Sequence, residues 1–300
     1  EVARLVGYDE IPVTVPPAPV KGAVGLTPDQ RRQRWVADTL AEYGMVESLS
    51  YPFVGDEDFK AFSYDPAVIK PVSVEIANPL AGDRPYLRRD VLPTLATTVQ
   101  RNLRRGLEDI RLYEIGHVYL WDPNAPAIPA LSGGVRPSDE QLAALDAGLP
   151  DQPLHVAGLL TGNAVDSGWL GDRRAIDWSD AVEAVRRVCD RLGARYELRQ
   201  PTAQDVPAQW HPGRAAQIVA GEQVVGMVGE LHPRVNEALG LPAHSAAFEL
   251  NLTALFGTLD GKPVQAKPIA TFPPVKQDLA FTVDQSVTAA QLEAVVREAA

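Results

Sequence analysis

The amino-acid sequence predicts an α+β fold in which helices pack on a mostly antiparallel sheet. Three observations lead to this prediction. Short segments that alternate apolar and polar residues recur along the chain, as half-buried strands do. Segments with helical spacing and capping residues stand between them. Gly221-Glu222 separates two of the alternating segments as a hairpin turn would, and hairpins mixed with helices are typical of an antiparallel sheet.

The first quarter of the chain predicts one well-marked helix. Thr27 is a good N-cap, Pro28 suits the first helical position, and Gln30 completes a capping box. Gly44 stops the helix, because glycine readily adopts the conformation that closes a helix end. The proline-rich residues 13–26 before this helix are expected to form an extended linker.

The remaining elements follow in chain order from the same two periodicities. The expected strands are VESLSYPF (46–53), VSVEIANP (72–79), IRLYEIGHVYLW (110–121), LHVAGLLTG (154–162), RYELR (195–199), AAQIVA (215–220), QVVGMVGEL (223–231), AAFELNL (246–252) and QDLAFTVD (277–284). The expected helices are EVARLV before Gly7, residues 83–106, residues 179–193, one beginning at HPRVNEAL and one capped by Thr288 and Gln291. Residues 122–153 hold six prolines and one modest helical segment, SDEQLAALDA, so we expect a surface insertion.

Composition narrows the possible functions. The 300 residues include 45% hydrophobic and 22% charged residues, which are ordinary globular values. No apolar run approaches the roughly 20 residues that span a bilayer, so we expect no membrane partner. Cys189, the single cysteine, fits the apolar face of a helix and is predicted to be a buried, inert thiol in a protein of the reducing cytoplasm. The net charge of −11 requires any contact with a nucleic acid to be local or to depend on a partner.

Residues that commonly carry catalysis do not assemble into a known motif. The sequence has no glycine-rich phosphate loop and no His/Cys cluster at metal-binding spacing. Two of the five histidines stand in His-Pro pairs, His211-Pro212 and His232-Pro233, which are more often turns or helix starts than catalytic bases. Asp177 and Asp180, beside Trp178, are interpreted as capping groups of a helix.

A series of motifs in a fixed order resembles one known family. After the capped helix come "VESLSYPF", "NPLAGDRPYLRRDVLPTLATTVQRNLRRG", "IRLYEIGHVYL", "WHPGRAAQI", "GMVGELHP" and "FELNL". This run resembles the catalytic-like domain of the β subunit of bacterial phenylalanyl-tRNA synthetase. "FPPVKQDLAFTVD" is similar to the start of that subunit's ferredoxin-like anticodon-binding domain, with Gln277 in place of a basic residue. "EVARLVGYDEIP" is similar to the end of its winged-helix domain.

The resemblance implies a class II aminoacyl-tRNA synthetase-like antiparallel sheet flanked by helices, within a segment of a longer polypeptide. Apart from the proline-rich insertion, it covers nearly the whole chain. The implied boundaries are residues 1–12 for the end of the winged-helix domain, 13–26 for a linker, 27–256 for an inactive catalytic-like domain with the insertion 122–153, 257–274 for a second linker, and 275–300 for the start of the ferredoxin-like domain.

The same resemblance implies that this segment does not catalyse the reaction of its family. Class II enzymes grip ATP with an arginine in a strand of the pattern Gly-x-Val-Phe-Arg-x-Glu and with a second arginine in a glycine-rich helix start. Leu120 stands in the place of the first arginine and Asp122 in the place of the glutamate, and no Gly-x-Gly-x-x-Arg run follows "AAFELNL". An alkyl side chain cannot donate the paired hydrogen bonds that hold a phosphate.

In this family, the α subunit binds ATP and charges tRNA-Phe with phenylalanine, and two α and two β subunits form a heterotetramer. The segment is therefore expected to be a scaffold that packs on the α subunit and helps to place the tRNA. Class II enzymes dimerise through a helix and strand near the start of the fold, here Thr27–Tyr43 and Val46–Phe53. Trp35 lies one position off the apolar stripe of that helix, and Arg31 and Arg34 flank it, so these three are the predicted interface residues. A wider apolar face with Trp35 inside the domain, and solvated arginines, are the alternative.

One metal ligand follows from the resemblance alone. The family's winged-helix domain holds a magnesium ion with acidic residues, and Glu1 matches the last of them. Because magnesium prefers an octahedral shell of oxygen atoms, one carboxylate would hold it poorly without upstream ligands. A solvated helix residue is the alternative interpretation of Glu1.

Two other classes of function remain open. The chain could be an active class II-like ligase that uses other residues, or a stand-alone RNA-binding module. Leu120 argues against the first, and the net charge of −11 argues against the second.

Overall fold

A computed structural model of the chain describes residues 1–14, 25–169, 171–202, 205–259, 261, 265–266, 268–269 and 271–299. The chain divides into two units, Glu1–Asp260 and Gly261–Ala300. Most of the predicted linker 13–26, and parts of the linker 257–274, lie outside the described residues.

The strands of the described residues are β1 (Val46–Glu47), β2 (Phe53–Val54), β3 (Tyr86–Leu87), β4 (Ile110–His117), β5 (Leu154–Thr161), β6 (Asn163–Val165), β7 (Arg174–Ala175), β8 (Glu197–Arg199), β9 (Trp210–Ala220), β10 (Gln223–Leu231) and β11 (Ala246–Asn251). The α-helices are α1 (Val2–Val6), α2 (Pro28–Glu42), α3 (Asp56–Ala61), α4 (Pro66–Ile69), α5 (Leu92–Leu103), α6 (Asp139–Ala147), α7 (Trp178–Leu192), α8 (Pro233–Leu239), α9 (Leu252–Gly257) and α10 (Ala289–Ala299). Short 3-10 helices span Tyr8–Glu10 and Lys70–Val72.

A seven-stranded sheet organises the first unit, in the order β1-β4-β5-β11-β10-β9-β8. Only the pair β1–β4 is parallel, and every other neighbouring pair is antiparallel. The predicted hairpin joins β9 to β10, and Gly221 in its turn has φ of +63°, a conformation that favours glycine. The prediction of a mostly antiparallel sheet in an α+β fold is therefore confirmed.

Helices cover both faces of this sheet, and each face has its own apolar core. On one face, Leu40 of α2 and Val185 of α7 pack with Tyr113 and Phe248 of the sheet. On the other face, residues of α5 and α8 pack with strand residues such as Leu112. The alternation of β4 thus places Leu112 and Tyr113 in different cores, with both side chains buried. Both faces of the central strands are dry, which explains their nearly continuous apolar sequence.

The predicted helix after residue 26 forms as α2. Thr27 Oγ1 accepts a hydrogen bond from Gln30 N at 3.2 Å, and Gln30 Oε1 accepts one from Thr27 N at 2.9 Å. This capping box gives hydrogen-bond acceptors to two backbone N–H groups that have no acceptor within the helix. Gly44, with φ of +88°, follows the helix end as expected. In the same way Gly7 closes α1, and Thr288 and Gln291 cap α10.

Two strands predicted in the first unit differ from the structure, one in part and the other entirely. Residues 46–53 do not form one strand: β1 ends at Glu47, and β2 begins only at Phe53 and pairs with β3 in a separate small sheet. Pro52 lies between them, and proline cannot donate to a sheet ladder. Residues 72–79 form no strand at all. A single bridge between Glu75 and Tyr86 is their only ladder pairing.

Other helices and strands begin or end at residues that differ from the predicted ones, because of tertiary contacts. β4 ends at His117 rather than at residue 121, and the helix expected over 83–106 is confined to α5 because residues 86–87 pair as β3. His211-Pro212 is no turn or helix start, since it lies inside β9. His232-Pro233 does begin a helix, α8. Most of the insertion 122–153 is exposed, as predicted, and its helical segment forms α6.

The alternating segment 277–284 is not a strand in the second unit. Leu279, Phe281 and Val283 are exposed there, although they alternate as strand residues do. A strand exists only through hydrogen bonds to a neighbour, and the described residues of this unit supply none. The predicted strand at 277–284 is therefore wrong for the described chain, whereas the helix after it, α10, is confirmed.

Candidate functional site

The predicted interface residues lie on the outer side of α2. Trp35 is 39% exposed, while the next residue, Val36, is fully buried. The guanidinium of Arg191 in α7 lies 5.5 Å from the centroid of the Trp35 ring, so a cation covers one face of the indole. Arg31 and Arg34 are exposed. Arg31 Nη1 donates to Leu26 O at 3.0 Å, and no carboxylate of the described residues forms an ion pair with Arg31.

Large apolar side chains are also exposed directly after α2. Val46, Leu49 and Tyr51 are 63%, 86% and 84% exposed. β1 is the end strand of the seven-stranded sheet, so its outer backbone edge has no neighbouring strand among the described residues. We group these exposed residues of α2 and of the segment after it, Arg31, Arg34, Trp35, Val46, Leu49 and Tyr51, under the name docking face. Exposed apolar side chains beside an open strand edge are typical of surfaces that bind another protein.

Leu120 packs against an apolar core and pairs with the end of the insertion. Its backbone forms a bridge with Asp151, with N–O distances of 2.8 and 3.1 Å, beyond the end of β4. Its side chain is half-buried and packs against the core that includes Val118. The leucine is thus a packing residue at the point where the insertion leaves and rejoins the sheet.

A buried polar network lies on the face of the sheet that α5 covers. Arg88 Nη1 donates to Glu114 Oε1 at 2.6 Å and to Thr94 Oγ1 at 2.8 Å, and Arg88 Nε donates to the His117 carbonyl at 3.0 Å. Both charged side chains are at most 4% exposed. Gly116 makes room for this arrangement, because a Cβ atom there would lie 2.1 Å from Arg88 Nη2. The guanidinium is therefore held by internal partners.

Glu249 of β11 extends the network to the start of α5. Its two carboxylate oxygens accept hydrogen bonds from the backbone N–H groups of Val91 and Leu92 at 2.9 and 3.1 Å. His155 Nδ1 lies 2.8 Å from the same carboxylate. Glu114 and Glu249 both flank Ala157 in the sheet register, so three strands bring these groups together. Sequence reasoning missed this network, although a glutamate inside the apolar segment "AAFELNL" was a signal for it.

Asp90 lies next to this network and has an altered acidity. Burial and, next, the negative charge of Glu249 raise the pKa of Asp90 to about 6. Tyr64 Oη donates to Asp90 Oδ2 at 2.6 Å, and burial raises the pKa of Tyr64 as well. The network therefore combines three carboxylates with one arginine and one histidine. Within this arrangement, the raised pKa of Asp90 makes its contribution to stability depend on pH.

One residue of each His-Pro pair lines a cavity at one end of the sheet. Arg214 Nη1 donates to Glu230 Oε2 at 2.6 Å, and His244 Nδ1 lies 3.0 Å from the same oxygen. The cavity beside them has a volume of about 390 Å³ and is lined partly by His211 and Pro233. Because Glu230 neutralises Arg214, the cavity gains no net cation from this pair.

The remaining sequence interpretations can be compared with the structure directly. Cys189 is fully buried in α7, and burial raises its pKa to about 12, which confirms an inert thiol. Asp177 Oδ1 accepts from Ser179 N at 2.8 Å, and Asp180 Oδ2 accepts from Asp177 N at 3.0 Å, so both are capping groups, as predicted.

Glu1 is a single exposed carboxylate that pairs with Arg4, at 2.8 Å from its Nη2 atom. Within the described ranges, no three His, Cys, Asp or Glu side chains lie close enough to share a metal ion. The described residues therefore do not form a magnesium site by themselves. No helix of the described chain is both long and apolar enough to cross a membrane.

Solved structures share the architecture of this chain. Two structures of the pyrrolysyl-tRNA synthetase of Desulfitobacterium hafniense are similar to 76% of this chain and to 67% and 68% of their own, with TM-scores of 0.51 at 15% and 14% identity. At such identities the likeness concerns the fold, which is that of the class II aminoacyl-tRNA synthetases. The profile of the phenylalanyl-tRNA synthetase β chain CLM domain matches residues 11–252, and the chain belongs to this family.

Curated relatives agree with the family. The chain is 77% identical over 300 residues to the phenylalanine–tRNA ligase β subunit of Bifidobacterium longum. The matched region covers all of this chain and 34% of that protein. It is 41% and 42% identical to the β subunits of Thermobifida fusca and Streptomyces avermitilis, over all of this chain and 36% of each. The chain thus spans about a third of the length of these relatives.

Proposed function

We propose that this chain is the non-catalytic scaffold segment of a phenylalanine–tRNA ligase β subunit. It packs on the catalytic α subunit through the docking face and helps to place tRNA-Phe. The docking face is the observation that carries this proposal: Leu49 and Tyr51 are more than four-fifths exposed, beside an unpaired strand edge. The relatives are named β subunits, and a β subunit has an α partner to cover such a surface.

The chemistry of the chain supports the absence of catalysis. Leu120 stands where an ATP-binding arginine would be and packs against a core. Arg88, a buried arginine on the same side of the sheet as Glu114, already donates to three internal acceptors. A preorganised cationic site is what stabilises the charge that develops on a phosphate, and neither residue provides one. In this proposal, the α subunit binds ATP, and Glu1 is one ligand of a magnesium ion whose other ligands lie upstream.

Two measurements test the proposal. The chain alone should give no phenylalanine-dependent ATP–pyrophosphate exchange, whereas the complex with the α subunit should give it. The variant Leu120→Arg should not restore activity, because one arginine is only part of a preorganised site. Sedimentation of the chain with the α subunit should give a stable complex. Exchange by the isolated chain, or no association with α, would contradict the proposal.

A further inference from the structure

Three arginines at and just after the end of α5 have no partner among the residues that the structure describes. Arg101, Arg104 and Arg105 are exposed, and none of their side chains forms a hydrogen bond or ion pair with a residue that the structure describes. Arg101 lies in the last turn of α5, and Arg104 and Arg105 follow the end of this helix, so three like charges stand close together in the sequence.

The arginines of α7 show how the same protein treats cations elsewhere. Arg186 and Arg187 both pair with Glu183 at 2.7 Å, and Arg186 also pairs with Asp190. Those charges are neutralised on the helix itself. Arg101, Arg104 and Arg105 form no such pair with a described residue, in a chain whose net charge is −11. They place three positive charges within five residues, which makes a local positive surface, and the exposed carboxylates Glu108 and Asp109 follow it in the sequence.

The topology places this cluster at one end of the strands of the seven-stranded sheet. It spans the end of α5 and the turn before β4, whose first residue, Ile110, pairs with Thr161 at the end of β5. The last residues of β10 lie at the same end of the sheet, because Glu230 pairs with Ala246, the first residue of β11. Arg234, the second residue of α8, is exposed and forms no ion pair within the described residues.

A hydrogen bond ties the end of α5 to α8, so the cluster sits on a fixed support. Gln100 Nε2 donates to the Leu239 carbonyl at 2.6 Å. The preceding turns of α5 are buried in the sheet core, with Leu95 and Val99 fully covered. The part of α5 that carries Arg101 is therefore held by the core and by α8.

From these observations we infer that Arg101, Arg104 and Arg105 form a phosphate-contacting surface for RNA, and that in the ligase this RNA is the tRNA. The inference rests on the proposed function, since it names residues through which the scaffold helps to place tRNA. Arginine suits this role because its guanidinium donates paired hydrogen bonds to phosphate oxygens. A cluster of three that reads no base edge contributes affinity without sequence specificity.

The test is the salt dependence of tRNA binding by the ligase complex made with the full-length β subunit. The variant carries Arg101→Gln, Arg104→Gln and Arg105→Gln together. Each lost phosphate contact should reduce the slope of log Kd against log salt concentration by about 0.7 to 0.9, so the triple variant should lose about 2 to 3. The KM for tRNA should rise several-fold, while phenylalanine-dependent pyrophosphate exchange stays unchanged.

A matched control separates a local contact from a change in net charge. Arg136→Gln, Arg173→Gln and Arg195→Gln remove the same charge from three exposed arginines that likewise have no described partner but are far apart in sequence. This control should keep the wild-type slope. Equal slopes for the α5 variant and the control would overturn the inference.

Further outcomes distinguish the two proposals from each other. If the α5 variant weakens association of the α and β subunits instead, the arginines bind carboxylates of a protein, and the inference is wrong. If the wild-type complex neither assembles nor binds tRNA, the proposed function fails and the inference fails with it. If the triple variant unfolds, the single variants should each lower the slope by about one, and three unchanged slopes would overturn the inference.

Discussion

Glu249 caps the first turn of a helix that lies more than 150 residues away in the sequence. Its carboxylate oxygens accept from Val91 N at 2.9 Å and from Leu92 N at 3.1 Å. The N-terminus of a helix carries unsatisfied N–H groups and a partial positive charge, so a carboxylate there is favourable. One strand side chain thereby fixes the position of α5 on the sheet.

Replacing this carboxylate should destabilise the first unit. Glu249→Gln keeps the size of the side chain but loses the charge and offers only one acceptor atom to two buried N–H groups. We expect the free energy of unfolding to fall by about 1 to 3 kcal/mol, the cost of a buried donor left without a partner. Urea unfolding measures it. Glu237→Gln on the exposed side of α8 is the control and should change stability by less than about 0.5 kcal/mol.

Asp90 should make stability depend on pH. Its pKa of about 6 in the folded protein lies above its ordinary value of 3.8. The folded state therefore binds the proton more tightly than the unfolded state, and this contribution is complete below about pH 4 and is lost as the pH rises through about 6. Asp90→Asn should match the wild type at pH 4 and exceed it above pH 7 by up to about 3 kcal/mol.

The difference between the two unfolding free energies, measured across this pH range, checks the prediction. Asparagine can still accept the hydrogen bond from Tyr64 through its Oδ1 atom, so the substitution removes mainly the charge. Asp146→Asn, on the exposed helix α6, is the control for a carboxylate outside the network. A constant difference between Asp90→Asn and wild type at every pH would show that Asp90 does not titrate in this way.

Gly116 is expected to tolerate no side chain. A Cβ atom would lie 2.1 Å from Arg88 Nη2, and the guanidinium cannot withdraw without leaving Glu114 unpaired. Breaking a buried ion pair typically costs about 3 to 5 kcal/mol, and Gly116→Ala should approach that range. Thermal or urea unfolding would measure it. Gly82→Ala meets no atom within 4 Å and should leave stability nearly unchanged.

Trp35 should contribute to association more than to folding. Its indole is 39% exposed and covered on one face by Arg191, so its removal leaves no large cavity. Trp35→Ala should weaken association with the α subunit by roughly 2 kcal/mol or more, as aromatic anchors of interfaces do. Sedimentation of α–β mixtures and melting of the β segment alone measure the two effects. Trp169→Ala, at an indole that is 93% exposed, is the control. Unchanged association together with a lower melting temperature would place Trp35 in the domain core instead.

The separation along the sequence between interacting residues decided which features the sequence could predict. The capping box of Thr27 and Gln30 and the hairpin at Gly221 depend on residues within a few positions, and both were predicted correctly. Residues 72–79 and 277–284 alternate as strands do, yet alternation does not supply the neighbouring strand that a ladder requires. The strand pairing that shortened the helix at 83–106 is likewise invisible to periodicity.

The buried network was out of reach for the same reason. Glu114, His155 and Glu249 come from three strands, and Arg88 from a loop, so no spacing in the sequence relates them. Glu114 and His155 each suggest an exposed polar residue in a strand, and the glutamate inside "AAFELNL" indicates a buried carboxylate without identifying its partners. The sequence did show that Leu120 replaces an arginine, because that inference depended on one position in a motif that resembles the family's.

Cys189 makes this chain suitable for site-specific labelling. The only thiol of the sequence is buried, and its pKa of about 12 keeps it in the unreactive protonated form at neutral pH. A maleimide dye would therefore react with a newly introduced cysteine without prior removal of the native one. Leu49→Cys would place such a dye on the docking face, and its emission would report arrival of the α subunit in real time.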